Sequence, residues 1–281
     1  MFELALPLVV AITGWWFFTG LILWLVHRGQ RIRRMAVALW TGVLPLGLVG
    51  VYITAQSMSA GTTVSAFTLA LLLWGWLELT YLTGWITGPR QTPCPPLAGL
   101  RERLRRGLAT CLYHELAALF LLLALVLLCA NQANPTALWA FGTLLMMRWS
   151  AKLNLVLGVR NYNSDWLPSH FDYLDSYIPR RAMNGLFPIS LGLGTWATVY
   201  GFQLAASAQS SSSVIALLLV STLMALGTLE HVFLMLPLHD AALWRWALPN
   251  LRPAGRTVLP DINPKMVPQY ADSTWQKGAD P

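Results

Sequence analysis

Positive charge is missing from every second link of this chain. Seven apolar stretches divide the sequence, and the residues before Leu6 together with 56–61, 131–135 and 206–213 contain no lysine or arginine. The other links hold Arg28, Arg31, Arg33, Arg34, Arg90, Arg101, Arg103, Arg105, Arg106, Arg160, Arg180 and Arg181, and the carboxyl-terminal part adds Arg245, Arg252, Arg256, Lys265 and Lys277. Only Arg148 and Lys152 fall within an apolar stretch. Basic residues in short loops stay on the cytoplasmic side of a membrane, so the alternation predicts both the number of crossings and their direction.

Charge of either sign is scarce. Only 11% of the 281 residues are charged and 56% are apolar, too little polar surface for a water-soluble domain of this length. The formal net charge of +7 is dispersed over short juxtamembrane loops. Anionic lipid headgroups are therefore its expected partner, and nucleic acid is not. Cysteine is scarce too. Cys94, Cys111 and Cys129 show neither close pairing nor metal-type spacing, so no disulfide framework is expected. GxGxxG, Walker A, CxxC, HExxH and GxSxG are all absent, which removes the common soluble-enzyme readings.

What is present predicts an all-α polytopic membrane protein of about seven transmembrane helices, amino terminus out and carboxyl terminus in. The spans read as about 6–26, 35–55, 62–85, 108–130, 136–158, 186–206 and 214–236, each close to the roughly 20 residues needed to cross about 30 Å of hydrocarbon. The first has its charges after it and is read as a retained anchor. Spans one and two are the least polar and are expected at the bundle periphery. Residues 1–250 form the membrane domain, and 251–281, rich in Pro and polar residues, an extended cytoplasmic tail. A proline-rich loop runs from Gly88 to Pro96 and continues through Arg101–Arg106. Between spans five and six, Trp166, Leu167, Phe171, Leu174 and Ile178 fit one side of a short interfacial helix. Trp166, His170, Phe171, Tyr173 and Tyr177 are its candidate docking surface.

Ionisable groups in hydrocarbon cost several kcal/mol and are functional candidates by default. Span three carries Glu78, span four His114 and Glu115, span five Arg148 and Lys152 with Ser150 and Asn154, and span seven Glu230 and His231. Counted from the cytoplasmic ends, these residues lie roughly 8–15 Å deep at about 1.5 Å per residue. Arg148 and Lys152 are four apart and share a helix face. One polar chamber open to the cytoplasm is expected, with His239 and Asp240 near its mouth. It can be read as interhelical ion pairing, as a metal site (iron, with Glu78, His114, Glu115, Glu230 and His231 as ligands), or as a histidine ligating a tetrapyrrole. Against the di-iron reading, His114-Glu115 and Glu230-His231 are neighbours pointing about 100° apart, unlike Glu-x-x-His.

Several polar segments carry a resemblance. Glu78-Leu-Thr-Tyr-Leu-Thr-Gly-Trp-Ile-Thr-Gly-Pro-Arg90, Tyr113-His-Glu115, Ser150-Ala-Lys-Leu-Asn154 and Leu157-Gly-Val-Arg-Asn161 are among them. Leu167-Pro168, Tyr173-Leu-Asp-Ser-Tyr177, Asn184-Gly-Leu-Phe-Pro188, Leu229-Glu-His231 and Leu236-Pro-Leu-His-Asp-Ala-Ala-Leu-Trp244 complete the set. Together they resemble the photosynthetic complex assembly protein 2 family (PuhE) of purple phototrophic bacteria over about residues 1–250. The resemblance implies a cytoplasmic or intracytoplasmic membrane protein that assists assembly of the reaction-centre and light-harvesting polypeptides, with an influence on bacteriochlorophyll supply. It brings no catalytic residues, and a non-enzymatic role is expected. The competing expectation is a metal-dependent membrane enzyme or sensor of tetrapyrrole metabolism built on the same Glu/His cluster.

Overall fold

The computed structural model describes residues 2–162, 167–236 and 243–248. Seven α-helices follow one another: α1 (Phe2–Val26), α2 (Gln30–Ala55), α3 (Ala60–Leu82), α4 (Leu100–Cys129), α5 (Thr136–Leu157), α6 (Phe187–Ser207) and α7 (Ser211–Met235), with a 3-10 helix, Ser169–Tyr177, between α5 and α6. Among the described residues there is no strand, only a single parallel bridge between Val159 and Arg180. Five helices, α1 to α4 and α7, are long and apolar enough to cross a membrane, and the chain is a multi-pass membrane protein. α5 and α6 have similar lengths but fall short of that apolarity. α5 carries Arg148, Ser150, Lys152 and Asn154, and α6 carries three glycines with Ser190, Thr195, Thr198 and Gln203. The tail 251–281, like His239 and Asp240, lies outside the described residues.

Helix α3 is the centre of the bundle and touches α1, α2, α4, α5 and α7. Its Phe67, Leu73 and Leu77 pack with Leu121 and Leu125 of α4, Phe141 of α5 and Leu219 and Leu223 of α7 in one buried cluster. α6 rests on α7 through small residues. A Cβ on Gly194 would stand 2.5 Å from Thr228 Oγ1, and one on Gly201 would stand 2.2 Å from Ser221 Oγ. Close backbone approach of this kind replaces the hydrophobic driving force that lipid removes.

Three features depart from the expected layout. α4 begins at Leu100, so Arg101–Arg106 is helical where a loop was expected. Arginine and glutamate are good helix formers, and the Glu102–Arg106 pair at 2.6 Å spans one turn, so the helix continues beyond the apolar layer. The start of the following loop is not outside the bundle either. Arg90 N–H donates to Ala109 O at 3.2 Å and His114 N–H to Thr87 O at 3.0 Å, and Gly88 lies so close to α4 that a Cβ would meet Ala109 O at 2.2 Å. Finally, α2 is peripheral, but α1 is not. α1 packs against α3 and α7 and is crossed by the segment Leu243–Leu248: Trp16 Nε1 donates to Leu243 O at 2.9 Å, Trp244 Nε1 donates to Trp16 O at 3.1 Å, and Trp246 fills the space beside Gly20.

Candidate functional site

The polar residues of α3, α4 and α5 meet around Tyr81. Arg148 Nη1 of α5 lies 2.9 Å from Glu78 Oε2 of α3, and Lys152, one turn on, pairs with Glu115 of α4. Trp149 Nε1 donates to the other oxygen of Glu115 at 2.6 Å. The Tyr81 ring lies between these pairs, 5.8 Å from the Arg148 guanidinium and 5.4 Å from Lys152 Nζ. Both are within range for attraction to a ring face. The His114 ring lies 4.7 Å from Tyr81 on one side and Phe171 4.9 Å on another. Sequence reasoning grouped Glu78, His114, Glu115, Arg148 and Lys152 with Asn154, Glu230 and His231, and the first five lie around Tyr81. It missed Tyr81 and Trp149, which carry no charge, although their periodicity with Glu78 and Lys152 was visible.

Asn154, Glu230 and His231 go elsewhere. His231 Nε2 is 2.8 Å from Ser150 Oγ and its Nδ1 is 2.8 Å from Gly227 O. Ser150 Oγ donates to Ser190 Oγ at 2.9 Å, and Asn154 Nδ2 donates to the same Ser190 Oγ at 3.0 Å. This is a hydrogen-bonded seam joining α5, α6 and α7 on the side of α5 away from Tyr81. Asn184, also missed, extends it: its Nδ2 donates to Gly158 O at 2.8 Å, and its Oδ1 accepts from the Leu186 and Phe187 N–H groups at 2.9 and 3.0 Å. One side chain thus holds the end of α5 and the start of α6. Glu230 points to α1 and accepts from Trp15 Nε1 at 3.1 Å.

The single chamber expected from sequence is divided: the Tyr81 cluster and the His231–Ser150 seam involve different residues of α5, and Glu230 faces α1 across a cavity that it shares with Glu78 and Arg148. The reason is helix rotation: adjacent residues differ by about 100°, so His231 faces α5 while Glu230 faces α1. Among the described residues no group of three or more His, Cys, Asp or Glu side chains gathers to hold a metal ion. Glu78 and Glu115 are paired with cations, and both nitrogens of His231 have protein partners.

The 3-10 helix Ser169–Tyr177 covers the end of the Tyr81 cluster. Phe171 and Tyr177 are buried and face inward, against the expectation of a docking surface. Phe171 sits on Tyr81, and Tyr177 OH accepts from Arg90 Nε at 2.7 Å and donates to Thr92 O at 3.0 Å. A ring pair such as Phe171 on Tyr81 contributes about 0.5–1.5 kcal/mol beyond the area it buries. His170 is exposed and Tyr173 half-buried. Burial, then the charge of Arg33, lowers the His170 imidazole below its ordinary range. Trp166 lies outside the described residues.

A cavity of about 310 Å³ lies between α1, α3, α5 and α7 and is bounded by Trp244 and Leu248. Its wall is mostly apolar, with Glu78, Arg148, Glu230, Asn161 and Tyr162 as the main polar members.

The model of a family described as "Protein of unknown function (DUF3623)" matches residues 1–254. The chain belongs to the DUF3623 family. It is also 40% identical over 260 residues to a Rhodobacter capsulatus protein described as an uncharacterized 30.4 kDa protein in the puhA 5′ region, covering 90% of this chain and 94% of that relative. No solved structure matches the chain.

Proposed function

We propose that this DUF3623 member is a non-enzymatic assembly factor for the photosynthetic reaction-centre and light-harvesting complex. The observation that carries the reading is the relative's location. A protein 40% identical to this chain is described by its position in the puhA 5′ region, which supports a photosynthesis-related role. The motif resemblance to PuhE points the same way and adds bacteriochlorophyll supply as the step influenced. On this reading all seven helices cross the cytoplasmic or intracytoplasmic membrane, the basic links lie inside, residues 1–250 form the membrane domain, and 251–281 follow as a cytoplasmic tail. The Tyr81 cluster holds α3, α4 and α5 in register. The partly exposed His170 and Tyr173 on the 3-10 helix offer contacts to the reaction-centre and light-harvesting polypeptides.

The test is a deletion of the gene in a phototrophic host, with pigment content and assembled complexes measured together. Fewer assembled complexes with an unaltered set of pigment intermediates is the expected result. Unchanged complexes sink the reading. Accumulation of a tetrapyrrole intermediate moves the assignment to an enzyme or sensor of that pathway.

A further inference from the structure

The cavity between α1, α3, α5 and α7 has features that helix packing alone does not require. Its volume, about 310 Å³, is at the lower end of the roughly 300–1,000 Å³ typical of small-molecule sites. A returning segment of the chain bounds one flank of it. The segment Leu243–Leu248 returns across α1 and brings Trp244, whose ring meets Trp15 edge-on at 5.4 Å, and Leu248 to its flank. Two indole N–H groups, those of Trp16 and Trp244, fasten this strap to α1 through backbone carbonyls.

The polar part of the wall defines the kind of head it takes. Glu78 uses Oε2 for Arg148, while its Oε1 and the Arg148 Nε–H, both buried, have no hydrogen-bond partner. One open acceptor and one open donor therefore belong to an ion pair that is neutral as a unit. A buried polar group without a partner costs about 1–3 kcal/mol, so a ligand group that satisfies both is favoured. A carboxylate head would face Glu78 and Glu230 and could not donate to either. An ammonium head would face Arg148 and could not accept from it. A hydroxyl does both without adding charge.

We propose that this cavity binds a neutral single-chain amphiphile with a hydroxyl head, its chain lying along Leu71, Leu144 and Leu223 and its head between Glu78 and Arg148. Both residues line the cavity and the two open atoms are themselves buried, so binding requires a turn of the Glu78 carboxyl that presents its free oxygen to the head. Tyr162, at the same polar wall, keeps its proton, because burial and then Asp175 push its hydroxyl up to about 12. It thus adds a neutral hydroxyl at that wall. The Trp244 strap covers one flank of the bound chain.

The experiment uses the full chain purified in detergent and four diazirine probes: a long-chain primary alcohol, the fatty acid and the alkylamine of equal length, and a phosphatidylcholine. Cross-linked peptides are mapped by mass spectrometry. The alcohol is expected to label the cavity faces of α3 and α7 and the strap at least about tenfold more than the acid or amine, a tenfold ratio being one log unit of affinity. Ala151→Phe, which fills the cavity from α5, should abolish that labelling while leaving labels on the outer face of α2 unchanged. Equal labelling by all four probes, a preference for the phospholipid, or cavity labelling unaffected by Ala151→Phe overturns the proposal. The head-group ranking is read on the unaltered chain, so it decides the matter even if the Ala151→Phe protein does not fold.

Discussion

Lys152 and Glu115 form an ion pair across the α4–α5 interface, and the carboxylate's second oxygen is taken by Trp149. Both oxygens are thus committed to residues from one turn of α5. Replacing Lys152 by Met removes the counter-charge but leaves Glu115 buried with one neutral donor. Breaking a buried pair costs about 3–5 kcal/mol, and the partial exposure of Lys152 puts this variant at the lower end. The expected outcome is a reduced yield of monodisperse protein and a lower midpoint in detergent thermal unfolding. The double variant Lys152→Met with Glu115→Leu should recover much of the loss. Unchanged unfolding of the single variant would show that the pair contributes nothing.

Gly88 gives a second test. A methyl there would stand 2.2 Å from the Ala109 carbonyl, so Gly88→Ala must push the loop off α4. Overpacking of this kind costs about 1–3 kcal/mol. Gly142 and Gly192 have nothing within 4 Å of an added Cβ, and alanine at either should be neutral or stabilising by up to about 1 kcal/mol, because helical glycine is unfavourable. Comparing the three variants by thermal unfolding separates close approach from general glycine effects. Equal behaviour of all three would refute the inserted loop.

The seam between α5 and α7 is read by a double-mutant cycle. Ser150→Ala and His231→Leu each remove one end of the 2.8 Å contact. Coupling near the membrane-protein average of about 0.6 kcal/mol, and no more than about 1.7, is expected. Strict additivity of the two losses would mean the contact contributes no net energy.

A pH dependence follows from His170. Its imidazole is held below its ordinary range in the folded protein, first by burial and then by Arg33, so the unfolded chain binds the proton more readily. Stability is full above the unfolded value near 6.5 and declines as the pH falls from there toward the lower folded value. The effect is small because the residue is exposed. His170→Gln should flatten the acid side of the unfolding-temperature profile below about pH 6.5. A profile identical to that of the parent protein removes His170 as the source.

Helix number and order were legible because a run of apolar residues near 20 long has few alternatives in water. Arg148 and Lys152 could be placed on one face because four residues along a helix return to it, but which carboxylate each would meet stayed open. Rotation about the helix axis was not legible. A polar residue's depth follows from counting, but its azimuth depends on packing that only the neighbours decide. That is why Glu230 was grouped with His231 when it belongs with Trp15. The inward turn of Phe171 and the return of Trp244 onto α1 were hidden for a different reason. Each depends on contacts between segments far apart in sequence, and no local pattern encodes them.

Because residues 243–248 close over Trp16 and Gly20, α1 is finished by residues made more than two hundred positions later. Until they arrive, the groove on α1 has only lipid or a chaperoning neighbour to shield its indoles. Translation order thereby places the closing of that groove after α1 to α7 have been made, and gives any bound chain a window to enter before the aromatic latch fastens.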